Sequence, residues 1–401
     1  MNLIYAAVAT TLLVIRAISR KSLTTSGIIA AIFTAAVHAL HPWNLPFTLL
    51  LVFYGLGTAA TKVKHDIKAK LTLSSSGTPG GEGARNHVQV FANSIIASIL
   101  ILLHTAQLYD LNLNTITTRT TPSSPLFSPA HGACFDNTPD NLLVIGIIAN
   151  YASTLSDTLS SELGILSSSP PRLITTWNVT PKGTNGGITL AGITAGAAGA
   201  FIIGLIAAIM LPACEGAEAA WGPWEKIWLV AFVTVIGTAG SLLDSLLGAL
   251  FQQSVIDVRS KKIVEAPNGA KVLVEPATHI TAQGKLHSAV GNAPQSAAGA
   301  VPEHGGDGMR KRGGADEATV EVTDRPNSRR VITAQRWGVL SNNQVNLLMA
   351  AVMSMVAMVL WGGLGRVGVV LAEQAKTVVR AVVKQEIIGA VVGALLAPIL
   401  G

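Results

Sequence analysis

Apolar stretches of about 20 residues, nearly free of charge, recur along this chain over residues 2–18, 23–40, 43–60, 88–109, 142–163, 188–211, 227–251 and 338–361. Each is about the length at which a helix crosses the hydrocarbon layer of a bilayer. Backbone groups have no water partner there, so a helix is the element that satisfies them within one segment. Charged residues make up 12% of the chain and hydrophobic ones 49%, against about 25% charged in soluble domains; mean hydropathy is +0.48. So few charges could not cover a soluble α/β globule of this size. The expected fold is therefore all-α, a multi-pass transmembrane helix bundle of about eight to nine spans, the apolar end 387–400 being the ninth candidate.

The placement of Lys and Arg orients the bundle, because positive loops stay cytosolic. Arg20 and Lys21, with Arg16 beside them, follow the first span. Lys62, Lys64, Lys68, Lys70 and Arg85 follow the third, and Arg172 and Lys182 the fifth. The loop after the second span has none, and those after the fourth and sixth carry Arg119 and Lys226 alone. The amino terminus is thus expected outside or lumenal, with loops after odd-numbered spans in the cytosol. Residues 256–337 mix charges of both signs with scattered Pro, Gly and Ala, and read as a disordered cytosolic insert. Residues 1–255 then form a transmembrane core, 338–362 the helix that completes it, and 363–401 an amphipathic and apolar tail with Arg366, Lys376, Arg380 and Lys384.

This orientation gathers distant polar residues at one depth. The fifth span ends in Asp157, Ser161 and Glu162. The seventh carries Asp244 on the stripe Gly240, Asp244, Gly248, Gln252, one helix face at every fourth residue. Arg85, Gln89 and Asn93 open the fourth span, and Asn342, Asn343 and Asn346 the eighth. Ionisable residues within spans are costly and mark functional sites. The blander reading of Asp244 is a glycine-lined packing stripe whose acid bonds a neighbouring helix. Glu162 sits about 140° round an ideal helix from Asp157, so it also reads as an interfacial side chain in water.

Between these spans lies Pro181-Lys182-Gly183-Thr184-Asn185-Gly186-Gly187. Its glycines offer backbone N–H groups with few side chains in the way, just ahead of a helix, the arrangement that holds phosphate. It is not a Walker sequence, since the Lys precedes the glycines and no strand leads into it. Alone, an ordinary turn explains it equally well. With three acids beside it, the pattern fits Mg²⁺ held by Asp157, Glu162 and Asp244 and bridging to a nucleoside triphosphate, CTP among the candidates. Phosphoryl transfer asks mainly for such positioning and charge compensation. Asp157, Lys182 and Asp244 are the expected catalytic residues, and Lys182, Gly183, Thr184, Asn185, Gly186 and Gly187 the phosphate-binding ones. Arg85, Gln89, Asn93, Ser161, Gln252, Asn342, Asn343 and Asn346 are expected to support them, the Asn side chains as ligands or equally as helix caps.

His38 and His41 fall near the outer end and His65 and His87 in a cytosolic loop, with no spacing that makes a ligand pair. Cys134 and Cys214 both fall in outer loops, where a disulfide would fit. The sequon Asn178-Val179-Thr180 falls in a cytosolic loop, where no glycan is expected. Aromatic–basic interleaving is lacking, which argues against a nucleic-acid partner. Two other functions remain open, a transporter with acids in its path, or a structural membrane protein. No internal repeat of the transporter kind is apparent. The oligomeric state is not encoded in any recognisable motif.

The chain resembles the transmembrane protein 19 family of integral membrane proteins. The resemblance rests on Lys21-Ser22-Leu23-Thr24, on Gly83-Ala84-Arg85-Asn86-His87-Val88-Gln89 through Asn93, and on Asp157 to Gly164. It extends through Pro171 to Thr175, Gly183 to Thr189, Gly240 to Ala249 and Asn342 to Asn346, in order, over most of residues 1–255 and 338–361. The family includes the plastid phytyl-phosphate kinase of tocopherol synthesis. The resemblance therefore implies an isoprenoid-phosphate kinase, with a membrane lipid of the prenyl-phosphate kind as partner. No plastid transit peptide is recognised ahead of the first span, so an endomembrane location, the endoplasmic reticulum, is expected.

Overall fold

The computed structural model describes residues 3–74, 83–108, 134–135, 141–212, 222–265, 272, 329–333 and 339–363. Eight apolar helices coincide with the eight stretches read from the sequence. They are α1 (Leu3–Ser19), α2 (Thr25–Leu40), α3 (Leu45–Lys62), α5 (His87–Leu108), α6 (Leu142–Gly164), α7 (Leu190–Met210), α8 (Pro223–Phe251) and α9 (Asn342–Gly363). The last six are long and apolar enough to cross a membrane; α1 and α2 are shorter. The protein is a helical, multi-pass membrane bundle. The tail 364–401, including the ninth candidate span, lies outside the described residues.

Local chemistry starts these helices. Thr24 caps α2 by accepting from Gly27 N–H at 3.1 Å, and Thr189 caps α7 by accepting from Gly192 N–H at 3.0 Å. Asn86 and Gln89 form a reciprocal capping box on α5, each side-chain oxygen accepting from the other's backbone N–H at 3.1 Å. On α9 the Gln344 side chain accepts from Ser341 N–H at 2.8 Å. Pro46 and Pro223 occupy the first turns of α3 and α8, where a missing N–H costs nothing.

Helix α6 is the axis of the bundle, buried without a break from Val144 to Ser156, with α3, α5, α7 and α8 packed around it. Lipid tails are as apolar as the core, so close contact between small residues takes over from the hydrophobic effect as the cement. A Cβ on Gly196 would stand 2.8 Å from Ser156 Oγ, and one on Gly192 3.0 Å from Ser160 O, both on α6. On α8, a Cβ on Gly240 would stand 2.5 Å from Ser153 Oγ, and one on Gly237 2.9 Å from Ala152 O. Three elements thus meet nearly backbone to backbone.

The polar end departs from a purely helical expectation. A short helix α4 (His65–Ala69) and strand β1 (Thr72–Ser74) follow α3, and β2 (Arg172–Leu173) pairs antiparallel with β3 (Gly187–Ile188) after α6. Strands β4 (Ser254–Asp257), β5 (Ile263–Glu265) and β6 (Arg329–Thr333) join β1 in a four-stranded sheet of order β1-β5-β4-β6. Only the β1–β5 pair is parallel. The stretch 256–337, expected to be disordered, therefore contributes ordered strands at both of its ends. Its composition masked them because β4 and β5 are too short for periodicity to register, and they gain their partners from distant loops.

Candidate functional site

Helices α3, α6 and α8 end, and α5, α7 and α9 begin, on the same side of the bundle. There they surround a cavity of about 640 Å³, within the usual range for ligand sites. Asp157, Ser161 and Glu162 of α6 line it, as do Lys182 to Gly187, Asp244 of α8 and Gln252 just past its end. Arg85, Gln89 and Asn93 form another wall, and Asn342, Asn343 and Asn346 of α9 a further one. Every polar residue singled out from the sequence borders this one space, most of them half-buried.

The acids do not act as one set. Among the described residues, no three His, Cys, Asp or Glu side chains lie close enough together to hold one ion. The three-acid centre expected of Asp157, Glu162 and Asp244 is therefore not assembled. Helix α6 stays regular to Gly164, so Glu162 keeps its own azimuth, and an ion pair with Lys68 holds it. Asp244 has a different neighbour. One terminal atom of the Asn346 carboxamide stands 3.4 Å from Asn93 Oδ1, while the other stands 3.1 Å from Asp244 Oδ1 and 3.0 Å from the Asn342 carbonyl. Two acceptors against one turn the NH₂ toward Asp244. Asn150 Nδ2 donates to Asn93 O at 3.1 Å, tying this corner to α6.

The glycine loop is built more tightly than a row of open amides. Thr184 N–H donates to Pro181 O at 3.3 Å, Asn185 N–H to Ser254 Oγ at 2.9 Å, and Gly187 N–H to Thr184 O at 2.9 Å. These three amides are taken up within the protein, which corrects the expectation of a continuous phosphate cradle. Nor does the loop open directly into a helix, since β3 and Thr189 intervene. Gly186 has φ +79, and a Cβ there would meet Ser245 O at 2.7 Å. Glycine at this point seats the loop on α8 one turn beyond Asp244. Lys182 Nζ donates to Ser167 O at 2.6 Å; an ammonium has three donors, so this bond orients Lys182 without exhausting it. Ser161 is directed elsewhere, its hydroxyl bonding Asp157 O at 3.0 Å on its own helix. Gln89 is likewise occupied as half of the α5 capping box, and Gln252 Nε2 faces Asn342 Oδ1 at 3.5 Å.

Comparison with known proteins decides the family. Residues 8–354 match the family model described as "Integral membrane protein DUF92". The chain belongs to this family. That bears out the resemblance read from the sequence. It is 34% identical over 272 residues to Protein PGR of Arabidopsis thaliana, covering 66% of this chain and 84% of that one. It is 46% identical over 116 residues to the uncharacterized membrane protein MJ0933 of Methanocaldococcus jannaschii, covering 29% and 43%. To Protein VTE6, chloroplastic, of Arabidopsis thaliana it is 26% identical over 181 residues, 45% of each. No solved structure matches.

The cavity of this DUF92 protein also contains a residue that sequence reasoning counted only as loop charge. Lys68 is 7% exposed; it pairs with Glu162 and donates to Ala60 O at 3.0 Å in the last turn of α3. The signal was its spacing from Lys62, Lys64 and Lys70, but those are exposed and only the fold singles Lys68 out. The capping boxes Asn86–Gln89 and Ser341–Gln344 were legible as N/S-x-x-Q ahead of apolar runs.

The opposite end of the bundle is chemically different. Cys134 is disulfide-bonded, and the chain has one other cysteine, Cys214. Phe135 N–H donates to Pro212 O, joining the same two segments. Nearby, Trp43 N–H donates to His41 Nδ1 at 3.0 Å, which makes His41 Nε2 the protonated nitrogen that donates to His104 Nδ1 at 2.8 Å. Burial, with His104 alongside, pushes the His41 imidazole down to about 3. These histidines form a satisfied polar core and stand apart from the cavity.

Proposed function

We propose that this protein is a membrane-embedded kinase that transfers a phosphoryl group from a nucleoside triphosphate to an isoprenoid monophosphate. The observation that carries it is one cavity at the polar end of a membrane bundle, bringing the acids Asp157 and Asp244 together with the cations Lys68, Arg85 and Lys182. The family resemblance to a prenyl-phosphate kinase supports the same reading.

An oxygen of the acceptor phosphate would attack the terminal phosphorus of the triphosphate. The bond from that phosphorus to the bridging oxygen breaks, and the nucleoside diphosphate departs with the electron pair. A phosphomonoester is largely dianionic at neutral pH, its second pKa being about 6, so no general base is needed. What the site must supply is alignment and compensation of charge. Lys182, which lines the cavity, would serve the second task. Mg²⁺ needs only one or two carboxylates, with waters and phosphates completing its shell, so Asp157 and Asp244 fit it without Glu162. Asp157 and Asp244 would hold such an ion, and the chemistry it would supply there is compensation of phosphate charge.

In this proposal the cavity faces the cytosol. The Lys and Arg of the short loops gather at its end, and the disulfide closes the other, as expected of an oxidising compartment. An endoplasmic-reticulum membrane meets both conditions, and co-localisation of tagged protein with organelle markers tests it. For the reaction itself, purified protein in lipid nanodiscs with farnesyl or phytyl monophosphate and each magnesium nucleoside triphosphate should yield the lipid diphosphate. Failure to transfer from all four common nucleotides overturns the proposal.

A further inference from the structure

The motifs Lys21 to Thr24 and Gly83 to Asn86 stand about 60 positions apart in the chain, yet the fold joins them. Arg85 N–H donates to Ser22 O at 3.0 Å, and Arg85 O accepts from Thr24 N–H at 3.0 Å and lies 3.4 Å from Thr24 Oγ1. Leu23 and Arg85 make an isolated parallel bridge. Gly27 is bare because a Cβ there would overlap Arg85 O. The backbone at Arg85 is thus clamped to the start of α2 through both its N–H and its carbonyl.

The clamp determines where the side chain goes. Arg85 Nη1 lies 3.9 Å from the point where a Cβ on Gly57 of α3 would stand, and Thr158 Cγ2 is 3.6 Å from that same point. The guanidinium therefore reaches the junction of α3 and α6, beside the residue that follows Asp157. It borders the cavity together with Lys68.

The cavity's cations divide between two walls. Lys182 belongs to the loop seated on β4 through Asn185 and Ser254, against Thr72 of β1, where the sheet stands beyond the helix ends. Arg85 belongs to the wall of α2, α3 and α5, whose outer surface is exposed and apolar at Ile29 (65%), Phe33 (56%) and Val88 (44%). A water-soluble nucleotide would approach from the side of the sheet, and a ligand held in the membrane by its tail from the side of the apolar surface.

We infer that Arg85 is the recognition residue for the phosphomonoester headgroup of the lipid acceptor, an inference that rests on the kinase reading for its biological sense but not for its test. The planar fork of a guanidinium matches two phosphate oxygens, where an ammonium offers a point charge. Clamping the backbone removes the ordering cost of placing that fork.

The test is equilibrium binding of radiolabelled farnesyl monophosphate to wild-type, Arg85→Lys and Arg85→Gln protein in nanodiscs, with farnesol and inorganic phosphate as competitors. Wild type should favour the monophosphate over farnesol by roughly 10-fold or more, the scale of one charge-assisted pair. Arg85→Gln should abolish that preference, and Arg85→Lys should retain part of it. If transfer is observed, Arg85→Gln should raise the acceptor KM by a similar factor and leave the nucleotide KM within about twofold. Preference unchanged in Arg85→Gln, or a rise in nucleotide KM instead, overturns the inference. Inorganic phosphate competing as well as the lipid would also overturn it, by pointing to a free anion. Should Arg85→Gln fail to fold by size exclusion, Arg85→Lys decides, because wild-type preference in that variant excludes fork recognition. Selective binding lost in these variants, with no transfer by wild type, would sink the kinase reading and leave Arg85 as a lipid-phosphate receptor.

Discussion

Lys68 and Glu162 form an ion pair across 94 positions of chain, with side chains only 9% and 15% exposed. The pair joins α4 to the end of α6 and, through Lys68 to Ala60 O, to the end of α3. Removing one partner leaves a largely buried charge uncompensated, which costs about 3 kcal/mol or more, whereas replacing both by apolar residues is often neutral. Lys68→Met and Glu162→Leu should each lower the thermal midpoint in nanodiscs, and Lys68→Met/Glu162→Leu should recover most of the loss. An additive double variant would show that the two residues do not interact.

Asp157 and Asp244 line the cavity from α6 and α8 and are the acids proposed to hold the magnesium. Asp157→Asn and Asp244→Asn should each reduce magnesium-dependent transfer by roughly 100-fold, the scale of losing one group that steadies transition-state charge. In Asp244→Asn the new carboxamide oxygen would still accept from Asn346, so the thermal midpoint should hold. Activity at the wild-type level in both variants would remove the acids from the mechanism.

Gly240 and Ser153 make opposite predictions at one contact. A Cβ on Gly240 falls 2.5 Å from Ser153 Cβ, so Gly240→Ala must part α6 from α8 and should cost about 1–3 kcal/mol. Among the described residues Ser153 Oγ is buried without a hydrogen-bond partner, so Ser153→Ala should be neutral or stabilising. Thermal melts of the two variants separate packing from hydrogen bonding.

The two ends of the bundle should label from opposite sides. A cysteine at the exposed Ser169, in a variant lacking the native pair, should react with a membrane-impermeant maleimide only from the cavity's side, the face proposed to be cytosolic. Wild-type protein should migrate differently on gels with and without reductant, and Asn178 should carry no glycan. A glycan at Asn178 would reverse the orientation.

His41 gives the fold an acid limit. Its imidazole is held neutral in the native state, with a value near 3 against 6.5 when exposed, so the unfolded chain binds more protons as pH drops. The contribution is complete above about pH 6.5 and declines progressively as the pH falls from there toward 3. Thermal midpoints should fall over that window, and His41→Gln should flatten the decline.

Spans were legible because a bilayer imposes one period and one length, and α8 alone starts four residues earlier than read, since Pro223-Trp224-Glu225-Lys226 forms a polar first turn ahead of the apolar run. Gathering Arg85, Asp157, Lys182, Asp244 and Asn346 at one end was legible too, since each span reverses the chain and loop charge gives the sign. The roles within that end were not. Glu162 pairs with Lys68 because a folded loop brings α4 against α6, and neither span spacing nor loop charge encodes that meeting.

The sequence alone determined the membrane class, the eight helices and the end of the bundle at which polar residues collect, because these follow from local hydropathy and charge. The tertiary structure decided which acids face the cavity, which loop amides are already bonded, and how Thr24 and Gly27 clamp Arg85. Those depend on contacts of a few ångströms between segments far apart in the chain, made only when glycines at the crossings let the backbones close.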